Sequence, residues 1–171
     1  MKLILRELQP QDEKAFLTGL KAWGEESSWH SFVWKEGMHF QEMLQILDDR
    51  KNGRNLPEGL VPDTMLYGFI DEDTIVGRVS VRHVLNDYLA KRGGHLGYGV
   101  APSFRKRGYA SQMMEQSLGY CRSLGLKKLL ITCASTNIAS SKIIEKFGGI
   151  LEQEVWDDED KEMIKRYWIS L

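Results

Sequence analysis

The stretch Val100-Ala101-Pro102-Ser103-Phe104-Arg105-Lys106-Arg107-Gly108-Tyr109-Ala110 sets three basic side chains and a glycine just ahead of a helical pattern. Residues of these types in this order suit the binding of an anion. The first N–H groups of a helix lack intrahelical acceptors and lie at the positive end of its macrodipole. Gly108 and Ala110 keep bulk away from an approaching phosphate, and Arg105, Lys106 and Arg107 can add charge-assisted hydrogen bonds. The loop is neither G-x-x-x-x-G-K-[ST] nor G-x-G-x-x-G, so two common phosphate motifs are excluded. It fits [QR]-x-x-G-x-[GA] as Arg105-Lys106-Arg107-Gly108-Tyr109-Ala110. Alone, the loop fits a solvated basic helix start equally well.

The elements that must hold this loop follow from periodicity. A short strand at 3–8 leads into a helix opened by Pro10, with Phe16, Leu17, Leu20 and Trp23 at helical spacing. A loop rich in serine and aromatics precedes a second helical pattern (Phe40, Met43, Leu44, Leu47), and 51–62 reads as a loop. Segments 64–70 and 74–81 form an antiparallel pair around Asp71-Glu72-Asp73. After an irregular stretch at 85–92 and the Gly93-Gly94 break, 95–100 is a third strand. The helix that follows buries Ala110, Met113, Met114, Ser117, Leu118, Cys121 and Leu124, with Ser103 as its expected N-cap and Gly125 at its end. Strand 129–133, a helix from Asn137 to Lys146, and strands 150–155 and 163–169 close the chain.

A second motif makes the first specific. Asn137-Ile138-Ala139-Ser140-Ser141-Lys142-Ile143-Ile144-Glu145-Lys146-Phe147-Gly148-Gly149 resembles the N-x-x-[AS]-x-x-x-[YI]-E-K-x-G-[FG] signature of the GNAT superfamily of N-acetyltransferases. It stands about thirty residues after the basic loop with a strand between them. The likeness covers roughly residues 65 to 155, and Arg82-His83-Val84-Leu85-Asn86-Asp87 with Gly93-Gly94-His95 is similar to a little-characterised bacterial subgroup. The resemblance implies one GNAT-like domain over 1–171, an α+β fold with a mixed, mostly antiparallel sheet of about seven strands, flanking helices and splayed central strands. It also implies acetyl-CoA as co-substrate. Main-chain groups of Arg105, Lys106, Arg107, Gly108, Tyr109 and Ala110 would cradle the pyrophosphate. Gly99 and Val100 would pair with the pantetheine arm, and Asn137 would bond that arm or hold its own loop. A strand-end N–H would face the thioester oxygen.

The implied activity is transfer of acetyl to a primary amine by direct attack in a ternary complex. Many members carry a tyrosine where this chain has Ile144, which has no proton to give a leaving thiolate; Ser140 or Ser141 is the expected substitute. An alkyl ammonium has a pKa near ~10.4, so a base or a desolvating site must free the amine. His95 is the first candidate, His83 the second and Tyr98 the third. The acceptor, a small molecule or a peptide amine, would lie against 24–62 and 82–94. There Trp29, His30, Phe32, Trp34, His39 and Phe40 either line it or form a small core, and Asn86 and Asp87 either bind the amine or start a helix turn. The alternative function is a CoA-binding or regulatory module without transfer, kept open by Ile144.

Composition narrows the classes. The 171 residues hold 23 Lys plus Arg against 24 Asp plus Glu, for a formal charge of −1. The balance is local, because 104–128 has six basic residues against one acidic and 151–162 has seven acidic against one basic. The basic block gathers at helix ends, which argues against a nucleic-acid partner. The acidic block reads as a solvated turn. No apolar run nears the ~20 residues of a membrane span. Two cysteines, Cys121 and Cys133, cannot build a disulfide framework or a four-cysteine zinc site, and no metal is expected. The expected compartment is cytoplasmic, and homodimers are common in the family.

Overall fold

Alternation of apolar side chains sets the architecture of this computed structural model, which describes residues 2–171. The order is β1 (Ile4–Arg6), α1 (Glu13–Trp23), α2 (Ser27–Ser31), α3 (Phe40–Lys51), β2 (Asp63–Phe69), β3 (Ile75–Arg82), α4 (Asp87–Lys91), β4 (Leu96–Val100), α5 (Tyr109–Ser123), β5 (Lys128–Ala134), α6 (Ile138–Lys146), β6 (Ile150–Asp157) and β7 (Glu162–Ser170). Two antiparallel sheets, β1-β2-β3-β4 and β5-β7-β6, stand edge to edge at β4 and β5. The described residues form the α+β fold with seven strands, flanking helices and splayed centre that the resemblance implies.

β2 and β3 are covered on both faces, which splits the interior in two. Leu66, Val79, Val81 and Leu96 join the core beneath α5, whereas Met65, Tyr67 and Phe69 join the core beneath α1 and α3. Period-2 alternation sends neighbouring residues to opposite cores. Gly68 and Gly77, paired across β2 and β3, let α5 sit close, since a Cβ at either would lie within 3.0 Å of Met113.

Three sequence expectations are corrected. The long helix begins at Tyr109 with Gly108 as N-cap, and Ser103 lies in a separate 3-10 turn, Pro102–Phe104. The loop rich in serine and aromatics and the irregular stretch at 85–92 contain α2 and α4, both only five residues long. Short helices of this kind leave little periodic signal. The acidic turn is not simply solvated, because Arg92 pairs with Asp157, Glu159 and Asp160, and Tyr88 donates to Glu159 at 3.2 Å. These contacts tie α4 to the β6–β7 hairpin.

Candidate active site

β4 and β5 part as soon as they meet. Gly94 bridges Ile131, and the His95 N–H donates to the Leu130 carbonyl at 2.7 Å. The next ladder position is taken by a side chain: His95 Nδ1 accepts the Leu130 N–H at 3.0 Å. That bond requires a neutral ring, and burial keeps the His95 pKa below its usual value. Only glycine suits position 94, with φ at +60° and a hypothetical Cβ 2.3 Å from the Leu130 oxygen.

Beyond this closed end opens a cleft of about 590 Å³. Tyr98, Gly99 and Val100 line it from β4, Gly108 to Ser111 from the start of α5, and Asn137 and Ser140 from the start of α6. Gly108 holds φ at +81°, and no atom lies within 4 Å of where its Cβ would stand, so the helix start is open to a bulky anion. Lys106 lines the cleft; Arg107 stacks on Phe104 at 5.6 Å, outside the lining. Arg105 is partly committed, donating to the Val100 carbonyl at 2.9 Å and pairing with Glu26. Asn137 caps α6 by accepting the Ser140 N–H at 3.1 Å.

Of the catalytic candidates read from the sequence, Tyr98 and Ser140 line the cleft. The Tyr98 hydroxyl is buried beside the Ser140 hydroxyl, without a well-formed hydrogen bond. Burial pushes its pKa up to about 12, partly offset by the nearby Ser140 hydroxyl. Such a group stays protonated at neutral pH, which suits a donor better than a base. Ile144 is fully buried in the core. Neither His95 nor His83 lines the cleft. His83 Nε2 bonds Thr64 Oγ1 at 2.8 Å, and Thr64 in turn bonds the Tyr120 hydroxyl at 2.9 Å.

The opposite face of β4 is different in kind. A Cβ at Gly99 would lie 3.0 Å from Trp23 and 3.6 Å from Trp29, and one at Gly97 would lie 3.4 Å from the Arg82 guanidinium. Directly across from Gly99 in register is Arg78, 6% exposed. Its guanidinium lies 5.1 Å from the ring centres of both Trp29 and Phe32. One nitrogen donates to Met65 Sδ at 3.3 Å, and Nε has no partner. Burial lowers its pKa to about 10, so it is cationic at neutral pH.

The expected aromatic region divides. Trp29 lines the cleft, but Phe40 is core and His30 is buried, stacked 4.7 Å from Phe16 with Nε2 bonded to the Phe16 carbonyl at 2.8 Å. Asn86 is the N-cap of α4, accepting the Leu89 N–H at 2.9 Å. Sequence reading missed Arg78, Trp23 and Glu26 as site residues. For Arg78 the available signal was a charge inside the apolar alternation Ile75-Val76-Gly77-Arg78-Val79-Ser80-Val81.

This fold and cleft define an acyltransferase of the GNAT type. Residues 2–150 match the family described as "Acetyltransferase (GNAT) domain", and the chain belongs to that family. Its members use acetyl-CoA. A relative in Bacillus subtilis (strain 168), described as "Uncharacterized N-acetyltransferase YnaD", is 22% identical over 156 residues, covering 75% of this chain and 89% of the relative. Among solved structures, yncA of Salmonella typhimurium, a putative acetyltransferase with its cofactor acetyl-CoA, superposes with a TM-score of 0.66 at 12% identity, covering 100% of this chain and 95% of that one. A spermidine N-acetyltransferase SpeG chimera from Vibrio cholerae and hSSAT gives 0.63 at 18% identity, covering 99% and 96%. These structural likenesses are to the fold. Among the described residues no helix is long and apolar enough to cross a membrane.

Proposed function

We propose that residues 1–171 form a single domain that transfers acetyl from acetyl-CoA to a primary amine by direct attack in a ternary complex. The observation that carries this reading is the parting of β4 from β5, which leaves the edge of β4 facing a cleft that runs to an open helix start. When bound, acetyl-CoA supplies the acetyl group as an activated thioester. First-turn N–H groups of α5 and Lys106 hold its diphosphate, and the free edge of β4 at Gly99 and Val100 pairs with its amide arm. The Arg105 and Ala110 backbones complete the cradle.

Chemistry then needs a proton to leave nitrogen and one to reach sulfur. The amine lone pair forms the C–N bond, the C–S bond breaks with its electrons on sulfur, and the Tyr98 hydroxyl donates to the departing sulfur with Ser140 beside it. The proton lost by nitrogen passes to water in the cleft or replaces the one Tyr98 gave. His95 acts as a positioning residue: it ends the β4–β5 ladder and so fixes where the cleft begins. Tyr98 also answers the objection that Ile144 raises, because it supplies a hydroxyl from β4 instead of α6.

The test is release of free thiol from acetyl-CoA with a panel of primary amines. Amine-dependent release is expected. Background release across the panel, with acetyl-CoA still bound, would leave a cofactor-binding module instead.

A further inference from the structure

Beside α2 one buried guanidinium, that of Arg78, and two half-buried ones, of Arg50 and Arg82, gather near one carboxylate. Asp63 receives Arg50 at 2.7 Å and the Ser80 hydroxyl at 3.3 Å. Arg82 is turned to the carbonyls of Gly93 and Gly94, at 3.0 and 3.4 Å. Arg78 has no carboxylate partner, and its Nε is buried and unpaired. Asp63 acts on Arg78 only through space, its oxygens being taken by Arg50 and Ser80, and a buried cation with no directly paired counter-ion is unfavourable. Here aromatic faces stand in: Phe32 lies 4.6 Å from Arg50 and 5.1 Å from Arg78, with Trp29 also 5.1 Å from Arg78. A ring face offers only weak negative potential. Phe32 also holds φ at +54°, a left-handed conformation that a bulky residue adopts at a cost.

The cleft stops at a ring that covers this place. Trp29 lines the cleft and stands over Arg78, which does not line it, so contact with the guanidinium requires that ring to turn aside; Gly99, also in the lining, is the register partner of Arg78 one strand away. We infer that the acceptor carries a carboxylate within a few bonds of its primary amine, and that Arg78, backed by Arg82, anchors this carboxylate while the amine faces the thioester across Gly99. The inference rests on the transferase reading above. A carboxylate supplies the counter-charge that the rings imitate, and Arg can grip it with two parallel hydrogen bonds. The same guanidinium disfavours a neighbouring ammonium, which helps an amine enter unprotonated in a cleft that neither His83 nor His95 lines. A polycation such as a polyamine would meet an excess of like charge.

The first measurement is binding of N-acetyl amino acids and their carboxamides to the CoA-loaded protein, followed by tryptophan fluorescence. The acids are expected to bind at least tenfold more tightly. Thiol release from acetyl-CoA should favour free amino acids over their amides and over spermidine by a similar factor in kcat/KM, with the difference mainly in KM. Peptides beginning with Asp form a separate arm; preference for these over free amino acids identifies a peptide source of the carboxylate. Arg78→Gln should erase the acid-over-amide preference while leaving acetyl-CoA affinity unchanged, and Arg78→Lys should retain part of it. Equal binding of acids and amides, no binding of either, preferred use of spermidine, or a preference that survives Arg78→Gln overturns the inference. Binding of the acids without thiol release from any amine would instead defeat the transferase reading and leave the anchor standing.

Discussion

On one face of β4, Tyr98 lies among α5, β5 and α6; on the other, Gly97 and Gly99 lie under Trp23, Trp29 and Arg82. The first face and the strand edge beside it are built from two nearby stretches, 94–111 and 128–146. They work largely through main chain: a helix start, a strand edge and a ladder that stops. The second face draws on α1, α2, α3, β2 and β3, so that Arg50, Asp63 and Arg78 meet only after folding. Backbone can hold a common cofactor with few demands on side chains. Discrimination among amines needs side chains, and those come from the second face.

The sharpest way to break the first face is to block the point where β4 and β5 meet. Gly94→Ala places a Cβ 2.3 Å from a backbone oxygen at a positive φ. Overpacking against backbone and left-handed strain together should cost on the order of 4 kcal/mol in urea unfolding. A loss below about 1 kcal/mol would show that the closed end yields easily and does not define the cleft. The second face is expected to dominate the response to acid. Burial lowers the His30 pKa to about 4, with its bond to the Phe16 carbonyl acting the other way. Above about pH 6.5 folded and unfolded chains are both neutral at this ring, and the full stability is present. As pH falls from 6.5 toward 4, only the unfolded chain takes up the proton, so on the order of 3 kcal/mol is lost. His95 and His83, also lowered by burial, act with the same sign. His30→Gln should flatten the decline measured by unfolding at several pH values; an unchanged slope would move the effect elsewhere.

The contrast between faces also explains what could be read before folding. Motifs at 105–110 and 137–149 are contiguous, so the cofactor end, the helix face of Met113, Met114 and Cys121, and the strand break at Gly93-Gly94 were all visible in order along the chain. His95 stands at that break in the sequence, but its ring meets Leu130, thirty-five positions away, and pairing at that range has no local signature. Tyr98 and Arg78 each sit in a strand where alternation gives the face but not what stands on it. Trp29 and His30 are adjacent, yet one lines the cleft and the other is core, a division set by a five-residue helix too short to announce its phase.

The cofactor end can be probed at an exposed position with no packing around it. Gly108→Glu brings a carboxylate and a side chain to the open start of α5, where charge repulsion and bulk oppose a diphosphate. Acetyl-CoA affinity by calorimetry should fall about 100-fold, close to 2.7 kcal/mol. Gly108→Ala separates the causes: it carries the strain of φ +81° without the charge and should retain most of the affinity. Equal affinity in Gly108→Glu and the parent would place the diphosphate elsewhere.

Tyr98→Phe gives a smaller effect but distinguishes a working hydroxyl from a packed one. The hydroxyl is buried with no well-formed hydrogen bond, so in a purely structural role it is a burden. Its removal should leave stability unchanged or raise it by up to about 1 kcal/mol. If it donates to the leaving sulfur, the same change should lower kcat by about 30-fold, or 2 kcal/mol, with acetyl-CoA affinity intact. Because burial holds its pKa up to about 12, the rate should show no loss from Tyr98 ionisation between pH 7 and 9. Stability gained and turnover lost in one variant is the pattern expected where a group is kept against its folding cost for chemistry. Wild-type kcat in Tyr98→Phe would pass the donor role to Ser140 or to water and leave the first face of β4 a matter of backbone alone.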